Sequence, residues 1–177
     1  MGTMAHDGMR DHAHAAGGYA ARRASCEKAA RQLGVPALRD VQTADLPSVE
    51  GMLDAETFRR VRHVVTENAR VQATVAALEA GAMKTVGRHL TASHRSMRDD
   101  YEITTPALDL AVEAALATGA LGARMTGGGF GGSTITLIDA RRVPALRAAI
   151  EDAFAAARLA APRVSVVTPS TGARKEA

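Results

Sequence analysis

The run Thr126-Gly127-Gly128-Gly129-Phe130-Gly131-Gly132-Ser133 constrains this chain more than any other stretch of it. Five of the six positions from 127 to 132 are glycine. Glycine buries no side chain and loses more backbone freedom on ordering than any other residue. A loop that accepts this cost needs dihedrals closed to other residues, or N–H groups that come close to a ligand, most often an anion. Glycine-rich hairpins that bind nothing are the competing reading.

The residues after the run narrow the choice. Gly127-x-Gly129-x-x-Gly132 satisfies the dinucleotide pattern literally, but that pattern works only when a helix N-terminus receives the pyrophosphate. Here Thr134, Ile135, Thr136, Leu137 and Ile138 are β-branched or apolar throughout, which predicts a strand. The Rossmann reading fails. A Walker A loop fails too, because no Gly-Lys-Ser/Thr closes the run. A strand–glycine loop–strand remains.

The rest of the chain supplies helices. Gly17-Gly18 predicts a break, with a helix from Tyr19 to Leu33 closed by Gly34. Short helical turns are expected over 38–49. Asp54 is a good N-cap for a long helix carrying Phe58, Val61, Val64, Val65, Val71, Val75 and Leu78 at helical spacing up to Gly81. A second helix from Ala82 to about Arg98 folds back on it, and Thr105-Pro106 opens a third that ends at Gly119. Strands are predicted over 122–126, 133–138 and 163–168, with a helix from Arg142 to Arg158 between the last two. The order predicts an α+β fold, a small antiparallel sheet covered by helices.

Composition limits the functions. At 177 residues and 46% hydrophobic content, one domain with a real core is expected. One cysteine, Cys26, excludes an internal disulfide and a cysteine metal cluster. The net charge of +3 comes from scattered Arg and Lys among 19 acids. With only two Tyr and three Phe to stack bases on, no nucleic-acid partner is expected. No apolar run reaches the ~20 residues of a membrane span, so no membrane partner is expected and a cytoplasmic site fits.

Several stretches together resemble the galactokinases of the GHMP small-molecule kinase family. The glycine run resembles their third signature motif. Gly18-Tyr19-Ala20-Ala21-Arg22-Arg23 with Cys26-Glu27 is similar to their mid-chain helix start, and Arg62 to Val71 to their long-helix signature. Ser93-His94, Met97 to Glu102 and Pro106 to Leu110 match a stretch that sets galactokinases apart from mevalonate and homoserine kinases. The matches keep order and spacing from about His12 to Ala173. They identify residues 12–177 as a GHMP kinase C-terminal domain and leave 1–11 as an unmatched N-terminal tail. His6, His12 and His14 with Asp7 and Asp11 read as part of a disordered tail rather than a metal site.

The resemblance implies transfer of a phosphoryl group from ATP, with Mg²⁺, to D-galactose. It places Tyr19 in the sugar pocket and Gly127, Gly128, Gly129, Gly131 and Gly132 at the nucleotide-phosphate wall. Phe130 is expected as an apolar anchor, and Glu67 and Asn68 as helix packing beside the site. His94, Arg98, Asp99, Asp100 and Tyr101 are expected to form local caps and solvated pairs. The family's sugar-anchoring motif, its Gly-Leu-Ser-Ser-Ser phosphate loop and its catalytic aspartate have no match within these residues. No catalytic base or metal ligand is therefore named here. The chain resembles the C-terminal half of a galactokinase, inactive alone, with galactose, ATP and a separately encoded N-terminal half as its partners. One sheet strand, normally supplied from upstream, is expected to be missing or improvised. A non-catalytic sugar- and nucleotide-binding module and a sister GHMP kinase are the alternative readings.

Overall fold

A computed structural model of the protein describes residues 2–6 and 12–172. Strand β1 spans Gly2–His6 and is followed by helix α1, His12–Leu33. Helices α2 (Leu46–Glu50), α3 (Ala55–Glu79), α4 (Met83–Ser96) and α5 (Pro106–Ala117) come next. Strands β2 (Gly122–Thr126) and β3 (Ser133–Leu137), helix α6 (Val143–Ala156) and strand β4 (Arg163–Val167) complete the order. The four strands form one antiparallel sheet in the order β2-β3-β1-β4. The α+β expectation holds.

Two expectations about the beginning of the chain change. Gly2–His6 is a strand between β3 and β4 and not part of a disordered tail, and it improvises the sheet strand that the resemblance places upstream. Asp7 and Asp11 lie outside the described residues. The glycine pair does not break α1, which begins at His12 and runs through Gly17 and Gly18. Glycine inside a helix costs about 0.5–1 kcal/mol relative to Ala, and the space needed at Gly18 explains why that cost is accepted.

The predicted caps form as their chemistry requires. The Asp54 carboxylate accepts from the Thr57 N–H at 2.8 Å, and Thr105 caps α5 ahead of Pro106. Gly34, Gly81 and Gly119 end their helices in the left-handed region.

Three apolar clusters hold the elements together. One joins α5 and α6 to the sheet through Ala115, Ala123, Leu146, Ile150, Phe154 and Val164. The second joins α1 to α3 through Ala29, Leu38, Phe58, Val61 and Val65. The third is smaller: Met97, Ile103, Leu108 and Met125, with Tyr101 and Phe130 against it. It lies beneath the glycine loop. α4 meets β2 closely because both contact points lack a side chain: a Cβ on Gly87 or on Gly122 would strike the other segment's backbone.

The long apolar stripe of α3 is only partly covered. Phe58, Val61 and Val65 are buried, whereas Val71, Val75 and Leu78 are about half exposed. Helical spacing shows which residues share a face and not whether a neighbour covers it.

Candidate active site

Two distant segments meet at the N-terminal half of α1. Gly18 and Arg22 are four residues apart and share one face of the helix. Tyr19 is turned away by a single residue and is 60% exposed, so its ring does not pack on the core. The glycine loop, between β2 and β3, reaches the same helix. The Phe130 ring rests against Gly18, so closely that a Cβ there would lie 2.5 Å from the ring's Cζ.

The loop uses its glycines for dihedrals. Gly127, Gly129, Gly131 and Gly132 all hold positive φ, from 89° to 131°, a region in which Cβ clashes with the backbone. Gly129 also needs its small size, because a Cβ would lie 2.7 Å from Ile103 Cβ and 2.8 Å from Ile103 O. Gly127, Gly128 and Gly131 face open space. The Phe130 N–H donates to Ile103 O at 2.7 Å, whereas the N–H groups of Gly128, Gly129 and Gly131 make no such backbone bond among the described residues. Free N–H groups on an open glycine loop suit an anion.

Residues 97–103 link the loop to α1 and α3. The Arg22 Nε donates to Tyr101 O at 2.5 Å and its Nη2 to Glu102 O at 3.0 Å. Residues 97–101 make a π-helical turn, and Glu102 ends it in the left-handed conformation at φ 53°. Arg60, only 1% exposed, donates to Asp100 O, to Glu56 and to Glu102, the last at 2.6 Å. Arg59 holds the other oxygen of Glu102 at 2.9 Å. The Arg60 and Arg59 hydrogen bonds keep the Glu102 carboxyl below its ordinary pKa.

The expectation of local caps and solvated pairs holds only for Arg98 and Asp99, which form an exposed ion pair at 2.8 Å. His94 and Asp100 are buried instead. Asp100 accepts from Arg62 and from the Ser96 hydroxyl. Because Ser96 spends its proton on Asp100, its oxygen accepts from His63 Nδ1 at 3.0 Å. The His63 proton therefore sits on Nδ1. The ring stacks on Tyr101 with centroids 4.4 Å apart, and burial raises the Tyr101 phenol pKa. His94 Nδ1 accepts from the Met125 N–H, which leaves its proton on Nε2, 3.1 Å from Asp109. The sequence showed these residues at a helix end but not that the turn folds inward. Glu67 joins α3 to α4 and β2 through Ser93 and Arg124, as packing beside the site.

Burial pushes the His63 pKa down from 6.5 to about 4. An unfolded chain takes up this proton more readily than the folded one, so the contribution is complete above pH 6.5 and shrinks as pH falls through about 4. On going from pH 7 to 4.5, wild type should lose about 2–3 kcal/mol more stability than His63→Gln. Equal losses in urea unfolding at the two pH values would show that the buried imidazole does not set acid sensitivity.

Residues 74–156 match the model of the GHMP kinases C-terminal domain. The chain is 54% identical to a galactokinase of Streptomyces coelicolor over 97% of its own length. The chain carries a GHMP kinase C-terminal domain. A human galactokinase is 49% identical over 75% of the chain. The structure superposes on that of Lactococcus lactis galactokinase complexed with galactose with a TM-score of 0.86 and 29% identity, covering 92% of this chain. The chain spans between a third and a half of the length of the relatives it matches: 47% of the S. coelicolor protein, 34% of the human one and 44% of the L. lactis chain.

Sequence reasoning named Tyr19 and the five glycines, and the structure brings the two segments together at Gly18. It missed Arg22, Arg60 and Glu102 as the groups that hold the arrangement. The advance signals for Arg22 were its place in the Gly18 to Arg23 stretch and its four-residue spacing from Gly18. Glu102 stood at the end of the Met97 to Glu102 stretch, but nothing there pointed to Arg60, far away in sequence, which carried no signal of its own.

Proposed function

We propose that this chain is the C-terminal half of a galactokinase, which transfers the γ-phosphoryl group of ATP to D-galactose to give galactose 1-phosphate and ADP. One observation carries the reading: Tyr19, exposed on α1, adjoins the residue on which the glycine loop is seated. A hydroxyl for a sugar and open N–H groups for a phosphate thus lie on neighbouring segments. Such transfer depends on positioning and electrostatic stabilisation more than on covalent chemistry. The sugar hydroxyl oxygen attacks the γ-phosphorus, the ADP oxygen leaves, and the hydroxyl proton passes to a base that these residues do not supply.

The residues present fit the phosphate side of ATP, through Gly127, Gly128, Gly129, Gly131 and Gly132. They do not fit Mg²⁺: no group of three or more His, Cys, Asp and Glu among the described residues could hold a metal ion. We assign its ligands, like the catalytic aspartate, to the N-terminal half, the partner this chain requires. No helix among the described residues is long and apolar enough to cross a membrane, and we place the reaction in the cytoplasm, where ATP is available.

The test joins this chain to the N-terminal half of the S. coelicolor relative. The 177-residue chain alone should not phosphorylate galactose, and the joined kinase should. In the joined kinase, Tyr19→Phe should raise the galactose KM, with one lost hydroxyl contact costing about 0.5–1.5 kcal/mol. Turnover by the pure chain alone, or an unchanged KM in the variant, would overturn the assignment. Galactose binding without turnover in the joined protein would favour a binding module.

A further inference from the structure

Phe130 is the one loop residue between Gly127 and Gly132 that is not glycine, yet its φ is +62°. That conformation is strongly disfavoured for an aromatic residue and persists only where the surroundings enforce it. Two contacts enforce it here. Its N–H is bonded to Ile103 O, and its ring is seated on Gly18. Gly18 lies inside a 22-residue helix, where alanine is intrinsically the better residue. A Cβ there, however, would lie 2.5–2.8 Å from three atoms of the ring. Arg22 completes the seat, with its guanidinium carbon 5.9 Å from the ring centroid while it bonds the carbonyls of Tyr101 and Glu102.

We propose that Phe130 is a positioning residue: seated on Gly18 beside Arg22, it fixes the glycine loop relative to Tyr19, so that one contact sets both sides of the site. What the two sides bind rests on the function proposed above, whereas the seat itself is a property of this chain. Displacing the ring should disturb the sugar side and the phosphate side together.

Gly18→Ala is the decisive substitution, because its two effects have opposite signs. With nothing in the way it stabilises a helix interior. With Phe130 in its seat it expels the ring. In the 177-residue chain, hydrogen exchange of the Phe130 N–H, the loop amide bonded to Ile103 O, should speed up about tenfold or more. In the joined kinase, kcat should fall and the galactose KM should rise together. Phe130→Ala should loosen the loop likewise, and adding Gly18→Ala to it should change little further, because the clash is gone. Phe130→Leu keeps apolar volume against Ile103, so its exchange can be read with the core retained, and it too should loosen the loop.

A higher melting temperature for Gly18→Ala with unchanged loop exchange would overturn the proposal. So would strictly additive effects of Gly18→Ala and Phe130→Ala. If exchange responds as described but kcat and KM in the joined kinase do not, the seat stands and the kinase reading of the loop falls.

Discussion

Gly128→Val in the joined kinase should cut kcat by about a hundredfold or more while leaving the melting temperature unchanged or slightly raised. Gly128 is the loop glycine whose φ is not positive, and a Cβ on it meets nothing within 4 Å. The valine Cβ therefore meets no clash in the chain itself, and no positive φ has to be held. By narrowing the unfolded ensemble it can even stabilise by about 0.4–1 kcal/mol. Its bulk instead enters the open space beside the free N–H groups, where the phosphate is proposed to lie. Losing one well-placed electrostatic contact to a transferring group costs about 10²–10³ in kcat. Gly129→Val would be far less informative, because it meets Ile103 and must also hold φ +89°. Stability and activity would then fall together. A Gly128→Val kinase of normal kcat would reduce the loop to a hairpin.

Arg60→Ala should cost about 2–4 kcal/mol, a large loss for a single substitution in this chain, through the orphaned Asp100 carbonyl and the space the buried side chain leaves. Arg60 is a fully buried cation whose bonds to Asp100 O, Glu56 and Glu102 tie α3 to the turn under the loop. Removing it leaves the Asp100 carbonyl without this donor and frees Glu102 from one of its clamps. Arg60→Lys should not rescue, because the three donors of an ammonium radiate from one nitrogen, whereas Arg60 reaches its acceptors from two. For a chain of this size the loss corresponds to a fall in melting temperature of roughly 10 °C. The loop should feel it as well, since Ile103, next to Glu102, accepts the Phe130 N–H. A loss below about 1 kcal/mol, read from chemical unfolding, would show that the buried arginine is not what holds the turn.

Much of this protein was present in local sequence. Caps, helix-ending glycines, the strand–loop–strand and the alternation of later elements all follow from preferences that act within a few residues. Asp54 caps α3, Pro106 opens α5 and Gly81 ends α3 because no distant partner has to agree. The family motifs were legible for the same reason, being contiguous runs.

Tertiary structure decided everything that depends on which surfaces meet. Alternation in β3 placed Thr134 and Thr136 on one face and Ile135 and Leu137 on the other, but not which pair is buried. The threonines are, at 2% exposed. Strand β1 carried no signal because its pairing depends on β3 and β4, far along the chain. The inward fold of residues 97–103 depends on Arg22 and Arg60, which come from two other helices. Gly18 is the clearest case. The sequence marks it as a place where a helix should break, yet the helix continues. What required a glycine there was the ring of Phe130, which only the folded chain brings to it.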